Sequence, residues 1–224
     1  MSVSLESPTD AAHTNFADRL KAETRELHTE AEQHPFQKAL MAGTLDKSLY
    51  IQQLQQMLLI RSTLEHHLKL LLKQFPDLAS LITPTQFRES DIAADLKHFG
   101  GALEGLIPTS ATLNLIRHID RAAKSNSHAL VGFHYVLEGA NNGGRFIARA
   151  VRQAYALPER DGTMSIDPYG EDQTRLWKQF RTGLRELTLT NEQADAIVEA
   201  AKTLFRGLTA LSDDLFSGAE TAAT

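Results

Sequence analysis

Apolar residues recur at helical spacing through almost every long segment of this chain, and no run of alternating β-branched residues bounded by hairpin turns interrupts them. An all-α fold follows, and the prolines and glycines divide it. Phe16, Leu20, Leu27 and Ala31 mark a first helix, which Pro35 ends because proline cannot donate the next helical hydrogen bond. Leu45 to about Phe75 reads as a long second helix with Asp46 as N-cap; Tyr50, Leu54, Met57, Leu58, Leu64, Leu68 and Leu71 form its apolar stripe, and Pro76 stops it. Shorter patterns cover Ile92 to Phe99, closed by Gly100-Gly101, and Ala111 to Ser125, following Pro108. The stretch 127–156 is also helical, although Gly139, Gly143 and Gly144 lie in its middle, each costing about 1 kcal/mol relative to alanine. A Pro- and Gly-containing loop from Leu157 to Asp172 leads to helices over 172–187 and 191–216, the last opened by a capping box of Thr190 and Gln193.

A chain of 224 residues with 42% hydrophobic content can bury one core. We expect a single domain over 15–216 between small, polar tails at 1–14 and 217–224. The net charge of -5 is dispersed, which argues against a nucleic-acid footprint or a polybasic membrane anchor. The N-terminal residues have no basic and apolar signal pattern, and no stretch approaches the ~20 apolar residues of a membrane span, so a cytoplasmic location without a membrane partner is expected. There is no cysteine, which removes disulfides, thiolate metal sites, iron–sulfur clusters and a cysteine nucleophile. Nine histidines leave imidazole as the obvious metal ligand.

On the first helix, Leu20, Thr24, Leu27 and Ala31 share one face, and His28 lies beside it. Lys21, Arg25, His28 and Glu32 form a polar strip along that edge. An imidazole on iron needs a partner for its other N–H, and Glu32 at i+4 is placed to supply one. Lys21 lies roughly 10 Å along the helix axis from His28, by the 1.5 Å rise per residue, within reach of a carboxylate at the edge of a large planar ligand. From spacing alone, the commoner outcome of such a strip is a surface helix whose charges pair at i,i+4.

Gly139, Gly143 and, a turn earlier, Tyr135 fall on one face of the glycine-bearing helix, where side-chain bulk is almost absent. Such a face lets the backbone lie close to a flat ligand and leaves room for a small molecule between them. It equally suits the close approach of two helices. No strand precedes these glycines and no Gly-Lys-Ser/Thr follows, which disfavours a phosphate loop.

The segment Leu20-Lys21-x-x-Thr24-x-x-Leu27-His28-x-x-Ala31-Glu32 resembles the proximal-helix signature of haem oxygenases. Tyr135-Val136-Leu137-Glu138-Gly139-Ala140-Asn141-Asn142-Gly143-Gly144 resembles the distal helix of bacterial and phytochrome-associated members. Asp95-Leu96, Phe99-Gly100, Pro168-Tyr169-Gly170, Trp177-Lys178-Gln179-Phe180-Arg181 and Val198 to Phe205 are similar too, so the likeness runs in order from about Phe16 to Phe216. The resemblance implies a helical fold holding haem b between a proximal helix and a kinked, glycine-bearing distal helix. Haem would be cofactor and substrate at once, opened with O2 and electrons from a separate ferredoxin or flavoprotein reductase to biliverdin, CO and ferrous iron. It makes His28 the iron ligand and sets Lys21, Arg25, Tyr135 and Arg181 toward the propionates, with Phe205 at the pocket. Gly139, Ala140, Asn142, Gly143 and Gly144 would wall the opposite, reactive face.

One departure concerns Ala140, which stands where some family members carry an aspartate that organises a proton-delivering water relay. Asn141 and Asn142 are more polar than their counterparts in many relatives, and either could donate a hydrogen bond. Ala140 also keeps open a non-degrading haem carrier or sensor on the same scaffold. A carboxylate-bridged di-iron oxidase would need Glu-x-x-His spacing, but His66, His67 and His134 follow Thr63, Leu64 and Val131 at that distance. A thiamin-related hydrolase would need a cysteine.

Overall fold

The computed structural model describes residues 15–222, with side chains described as far as Ser217. Eight α-helices follow in order: α1 (Phe16–Gln33), α2 (Pro35–Ala42), α3 (Lys47–Gln74), α4 (Glu89–His98), α5 (Ser110–Ser125), α6 (Leu130–Tyr155), α7 (Gln173–Glu186) and α8 (Asn191–Ala222). No strand occurs among the described residues. The expected N-terminal tail at 1–14 lies outside the described residues, as do 223–224; α8 itself continues past residue 216 to Ala222.

The starts of these helices follow from short-range chemistry. Asn15 caps α1 by accepting from the Asp18 N–H (3.1 Å), and Asp46 caps α3 by accepting from the Ser48 N–H (2.7 Å). At α8 the Thr190 N–H donates to Gln193 Oε1 (2.8 Å) while the Gln193 N–H donates to Thr190 Oγ1 (3.2 Å), the reciprocal capping box. Pro35 does end the first helix, yet it also begins another. As the first residue of α2 its missing N–H costs nothing, and His34 Nδ1 caps the new helix by accepting from the Phe36 N–H (3.1 Å). Phe36 and Leu40 then bury α2 against the core, and Gly43 closes it in the left-handed region at φ 67°.

The long α8 is the axis of the molecule, packed by α1, α5 and α6. Leu20, Ile119, Val131, Ile197 and Leu204 from these helices are fully or almost fully buried. The approach of α6 to α8 is closest at Gly132, where a Cβ would stand 2.0 Å from the Ile197 carbonyl oxygen. Close helix packing therefore accounts for one glycine of α6. Across the molecule, Asp95 of α4 accepts from the Met164 N–H, the Ser165 N–H (both 2.8 Å) and the Ser165 hydroxyl (2.6 Å). That carboxylate pins the 157–172 loop between α4 and α6. The Tyr50 hydroxyl adds a bond to the Gly162 carbonyl at 2.8 Å.

Candidate functional site

The edge of α1 that carries His28 faces outward rather than into the core, because Leu20 and Thr24 take the buried positions. The His28 side chain is 53% exposed, and its Nδ1 lies 3.4 Å from Glu32 Oε2. Glu32 thus faces Nδ1, and no described residue lies within hydrogen-bond distance of Nε2. The Phe205 ring, nearly buried on α8, meets the imidazole edge-on with centroids 5.7 Å apart. Lys21 and Arg25 are exposed on the same edge, and among the described residues neither side chain is ion-paired. Arg19 to Asp195 (2.5 Å) and Lys202 to Glu23 (2.8 Å) tie α1 to α8.

Residues from α6 and α7 complete this region. Tyr135 is partly buried, and burial raises its phenol above the ordinary value, opposed by the Thr24 hydroxyl of α1 and by Arg181. Its ring lies 5.7 Å from Trp177, which stacks on Phe180 at 5.6 Å. Arg181 reaches Asp18 of α1 at 3.2 Å, and Arg185 the same carboxylate at 3.4 Å. Thus α1 meets its neighbours at separate points: His28 meets Phe205 of α8, Thr24 meets Tyr135 of α6, and Asp18 meets Arg181 of α7.

The glycines expected to act together have separate surroundings. A Cβ on Gly139 would touch the Trp177 ring at 3.3 Å, whereas one on Gly143 would meet nothing within 4 Å. At Gly144 it would stand 1.9 Å from the Ile166 carbonyl oxygen. Gly143 therefore borders open space, and Gly144 is turned to the pinned loop. Asn142 is exposed; its Nδ2 donates back to the Gly139 carbonyl (2.8 Å), and its Oδ1 accepts from Gln173 Nε2 on α7 (3.2 Å). Phe146, one turn beyond Asn142, is 74% exposed. Ala140 lies between the two faces, exposed and also lining a partly open pocket.

That pocket, of about 190 Å³ and partly open to solvent, is lined by α2, α3, α4, α6, α8 and the pinned loop. Aliphatic side chains such as Leu40, Leu54 and Leu211 make most of its wall, and Arg61 and Asn141 bring polar groups to it. Behind them runs a buried charged cluster. Arg61 Nη2 donates to the Leu137 carbonyl (3.2 Å), Glu65 accepts from the Arg88 N–H (2.6 Å), and Asn141 Nδ2 donates to Glu138 Oε2 (3.2 Å). Burial raises Glu65 and Glu138 above the usual carboxylate range and lowers Arg61. His134 is pushed down to about 3 by burial and by Arg61 and Arg88, so it is neutral, with Nε2 3.2 Å from Gln86 Oε1. Three buried nitrogens, Arg61 Nη1, Arg88 Nε and His134 Nδ1, have no partner.

This cluster is absent from the sequence reading, although it leaves a trace there. Arg61 and Glu65 interrupt the apolar stripe of α3 at i,i+4, and His134 and Glu138 do the same on α6. Opposite charges one turn apart inside an apolar stripe are the sign of a buried network, since a solvated pair would lie on the other face. Among the described residues, no group of three or more His, Asp or Glu side chains is placed to hold a metal ion directly.

The heme oxygenase family model matches residues 14–214. The curated heme oxygenase of Porphyra purpurea is 26% identical over 196 residues, covering 86% of this chain and 83% of the relative. Heme oxygenase 2 of Synechocystis is 26% identical over 202 residues, with 86% and 79% covered. Among solved structures, heme oxygenase-2 from Synechocystis in complex with heme and NO superposes with a TM-score of 0.85 at 24% identity, covering 93% of this chain and 88% of that one. The heme oxygenase of Leptospira interrogans gives 0.81 at 24% identity, over 89% and 98%. A match across nearly all of the helical domain, in sequence and in fold, shows that this chain belongs to the heme oxygenase family.

Proposed function

We propose that the chain is a haem oxygenase that holds haem b through His28 and opens the ring to biliverdin, CO and ferrous iron. The observation that carries this reading, within the family assignment, is His28: half-exposed, steadied by Glu32 on one nitrogen and unpartnered on the other. The chemistry of the donors fits haem, with an imidazole, a flat aromatic neighbour in Phe205 and unpaired cations at Lys21 and Arg25. Bound haem supplies both the iron at which O2 reacts and the carbon ring that is cleaved.

The side chains then divide the work. Glu32 fixes the His28 tautomer, and Phe205 limits rotation of the ring. Lys21, Arg25 and Arg181 offer positive charge to propionates, with the Tyr135 phenol as a neutral donor. Arg181 would exchange its bond to Asp18 for one to a propionate, leaving Arg185 on that carboxylate. Gly143 gives a low wall on the reactive side, Gly139 admits the Trp177 ring beside it, Asn142 stiffens it by bonding Gly139 and Gln173, and Ala140 leaves space beside it. Gly144 serves indirectly by admitting the loop behind that wall. O2 and a separate ferredoxin or flavoprotein reductase are the proposed co-substrate and electron source, with the cytoplasm as the compartment. No described helix is long and apolar enough to cross a membrane.

Haem titration followed by absorbance tests the ligand. Wild-type protein is expected to give a histidine-ligated Soret band that His28→Ala loses; an identical band in the variant would refute the assignment. Incubation with reductant and O2 is expected to yield a bilin. Haem that survives repeated reduction in air would instead establish the non-degrading carrier.

A further inference from the structure

The cations of this chain are scattered along the sequence, but α3 and α5 gather several of them on one face. His67 Nε2 of α3 lies 2.7 Å from Asp120 Oδ1 of α5. Eleven residues earlier on each chain segment, Gln56 accepts from the Thr109 N–H (2.9 Å) and donates to the Ile107 carbonyl (3.1 Å). The two helices therefore lie side by side and run in the same direction. Measured from the His67–Asp120 contact at 100° per residue, Leu113, Arg117, Arg121 and Lys124 turn away by roughly 20–100° on α5, and Leu70 and Lys73 by roughly 60–120° in the opposite sense on α3. Between parallel neighbours both turns end on the same side. That side is open: Leu70 is 47% and Leu113 37% exposed, and all four cations are exposed. Among the described residues none of the four cationic side chains has an ion-pair or hydrogen-bond partner. Of the nearby acids, Asp120 is held by His67, and Asp77, beyond the end of α3, lies by His128.

We infer that this face docks the protein on an anionic lipid bilayer, with Lys73, Arg117, Arg121 and Lys124 against headgroup phosphates and Leu70 and Leu113 entering the boundary with the acyl chains. A chain of net charge -5 is repelled from such a surface in most orientations, so a face of four unpaired cations selects one. Each cation near an anionic bilayer is worth about five-fold in affinity, and salt screens it. The flanking leucines add an apolar contact that a purely ionic partner does not need. A partner protein or a single-stranded nucleic acid would call for an aromatic anchor or a stacking ring. Neither helix offers one, since α5 has no Phe, Tyr or Trp and the one in α3, Tyr50, is buried. The contact is peripheral, because no described helix is long and apolar enough to cross a membrane. It also leaves the His28 edge free. On α8, Phe205 meets His28 of α1, whereas Gly207 admits Leu115 of α5. Two residues are roughly 200° of helical turn, so α1 and α5 lie on nearly opposite sides of α8.

Flotation of the full chain with vesicles tests this, using phosphatidylcholine alone against equal parts phosphatidylcholine and phosphatidylglycerol. Wild-type protein is expected to float with the anionic vesicles at low salt and to stay behind with the neutral ones. Arg117→Gln should weaken binding about five-fold, and Arg117→Gln with Arg121→Gln about 25-fold. Added salt should cost the wild type more than the double variant. Leu113→Asn, which leaves the charge unchanged, should weaken binding about three-fold or more. Lys38→Gln removes an exposed charge from α2, off this face, and should leave binding as it is. All of these side chains are exposed, so the variants should melt with the wild type. Wild-type protein that stays off anionic vesicles at low salt overturns the proposal. So does a loss with Lys38→Gln as large as with Arg117→Gln, which would reduce the effect to net charge. Binding that needs the arginines and ignores Leu113→Asn overturns the lipid assignment in favour of a purely charged partner, an acidic protein or a nucleic acid. No arm reads haem, so failure of the haem oxygenase reading would leave this result standing.

Discussion

The two faces of α6 differ in what their small residues are for. Tyr135, Gly139, Asn142, Gly143 and Phe146 lie on one side, where Phe146 is 74% exposed and a Cβ on Gly143 would meet nothing. His134, Leu137, Asn141, Gly144 and Ala148 lie on the other, all of them buried. Gly143 and Gly144 are adjacent in sequence, so the helical turn of 100° alone separates a glycine that leaves space from one that fills it. Absence of a side chain thus has opposite meanings on the two faces. Only the surroundings distinguish them.

The largest break in this contrast is Gly144→Ala. The new methyl group collides with the Ile166 carbonyl, and displacing the pinned loop is expected to destabilise the haem-free protein by about 3 kcal/mol, measured by denaturant unfolding. Wild-type stability would show that the loop yields and that the buried face is not tightly set.

Next in size is the pH response of the buried face. His134 titrates near 3 when folded, below its ordinary 6.5, so the unfolded chain binds the proton more readily between those values. Its contribution is intact above 6.5 and is lost as the pH falls toward 3, at up to about 1.4 kcal/mol per pH unit. Glu65 and Glu138, raised when folded, favour the folded state on acidification and oppose this trend. His134→Gln, which keeps a partner for Gln86, should flatten the acid loss of stability; an unchanged slope in a pH series of melts would rule His134 out as its source.

A smaller effect of the opposite sign belongs to the open face. Gly143→Ala is expected to stabilise the haem-free protein by about 1 kcal/mol, since helix propensity rises and no neighbour is met. Calorimetry on the pair Gly143→Ala and Gly144→Ala would sharpen the comparison, because two identical changes one residue apart should differ in sign. Last, Lys21→Ala should weaken haem binding by about 0.5 kcal/mol at low salt and less at high salt, as for an exposed charge. A salt-independent loss would mean that the lysine acts by packing.

Much of the fold is written locally. The caps at Asp46 and Thr190, the stripe of α3 and the loop after Leu157 all depend on neighbours within a few residues, which sequence patterns register. Residues 35–42 were harder, because Pro35 is equally good as a stop and as a first helical residue, and only the burial of Phe36 and Leu40 decides between them. For the candidate site, the strip at Lys21, Arg25, His28 and Glu32 and its exposure were legible as spacing, but the contact of His28 with Phe205 on α8 was not. The split between Gly143 and Gly144 depends on a carbonyl more than twenty residues away, at Ile166, and no periodicity contains that information. Which asparagine reaches the cavity is likewise a matter of helical phase against partners. Asn141 falls to the buried side and Asn142 to the exposed one.

The three hydrogen bonds on Asp95 join residues 69 and 70 positions apart in the chain. Such a pairing cannot form until the intervening α5 and α6 have brought the loop back to α4, since closing so long a segment costs chain entropy that local helices do not pay. The wall formed by Ser165 and Ile166 is therefore assembled late, after the helices it leans on. A nascent chain whose synthesis has stopped short of Met164 would carry α4 and the whole of α6 and still lack this partition, leaving the charged interior open to solvent until about the last quarter of the sequence arrives.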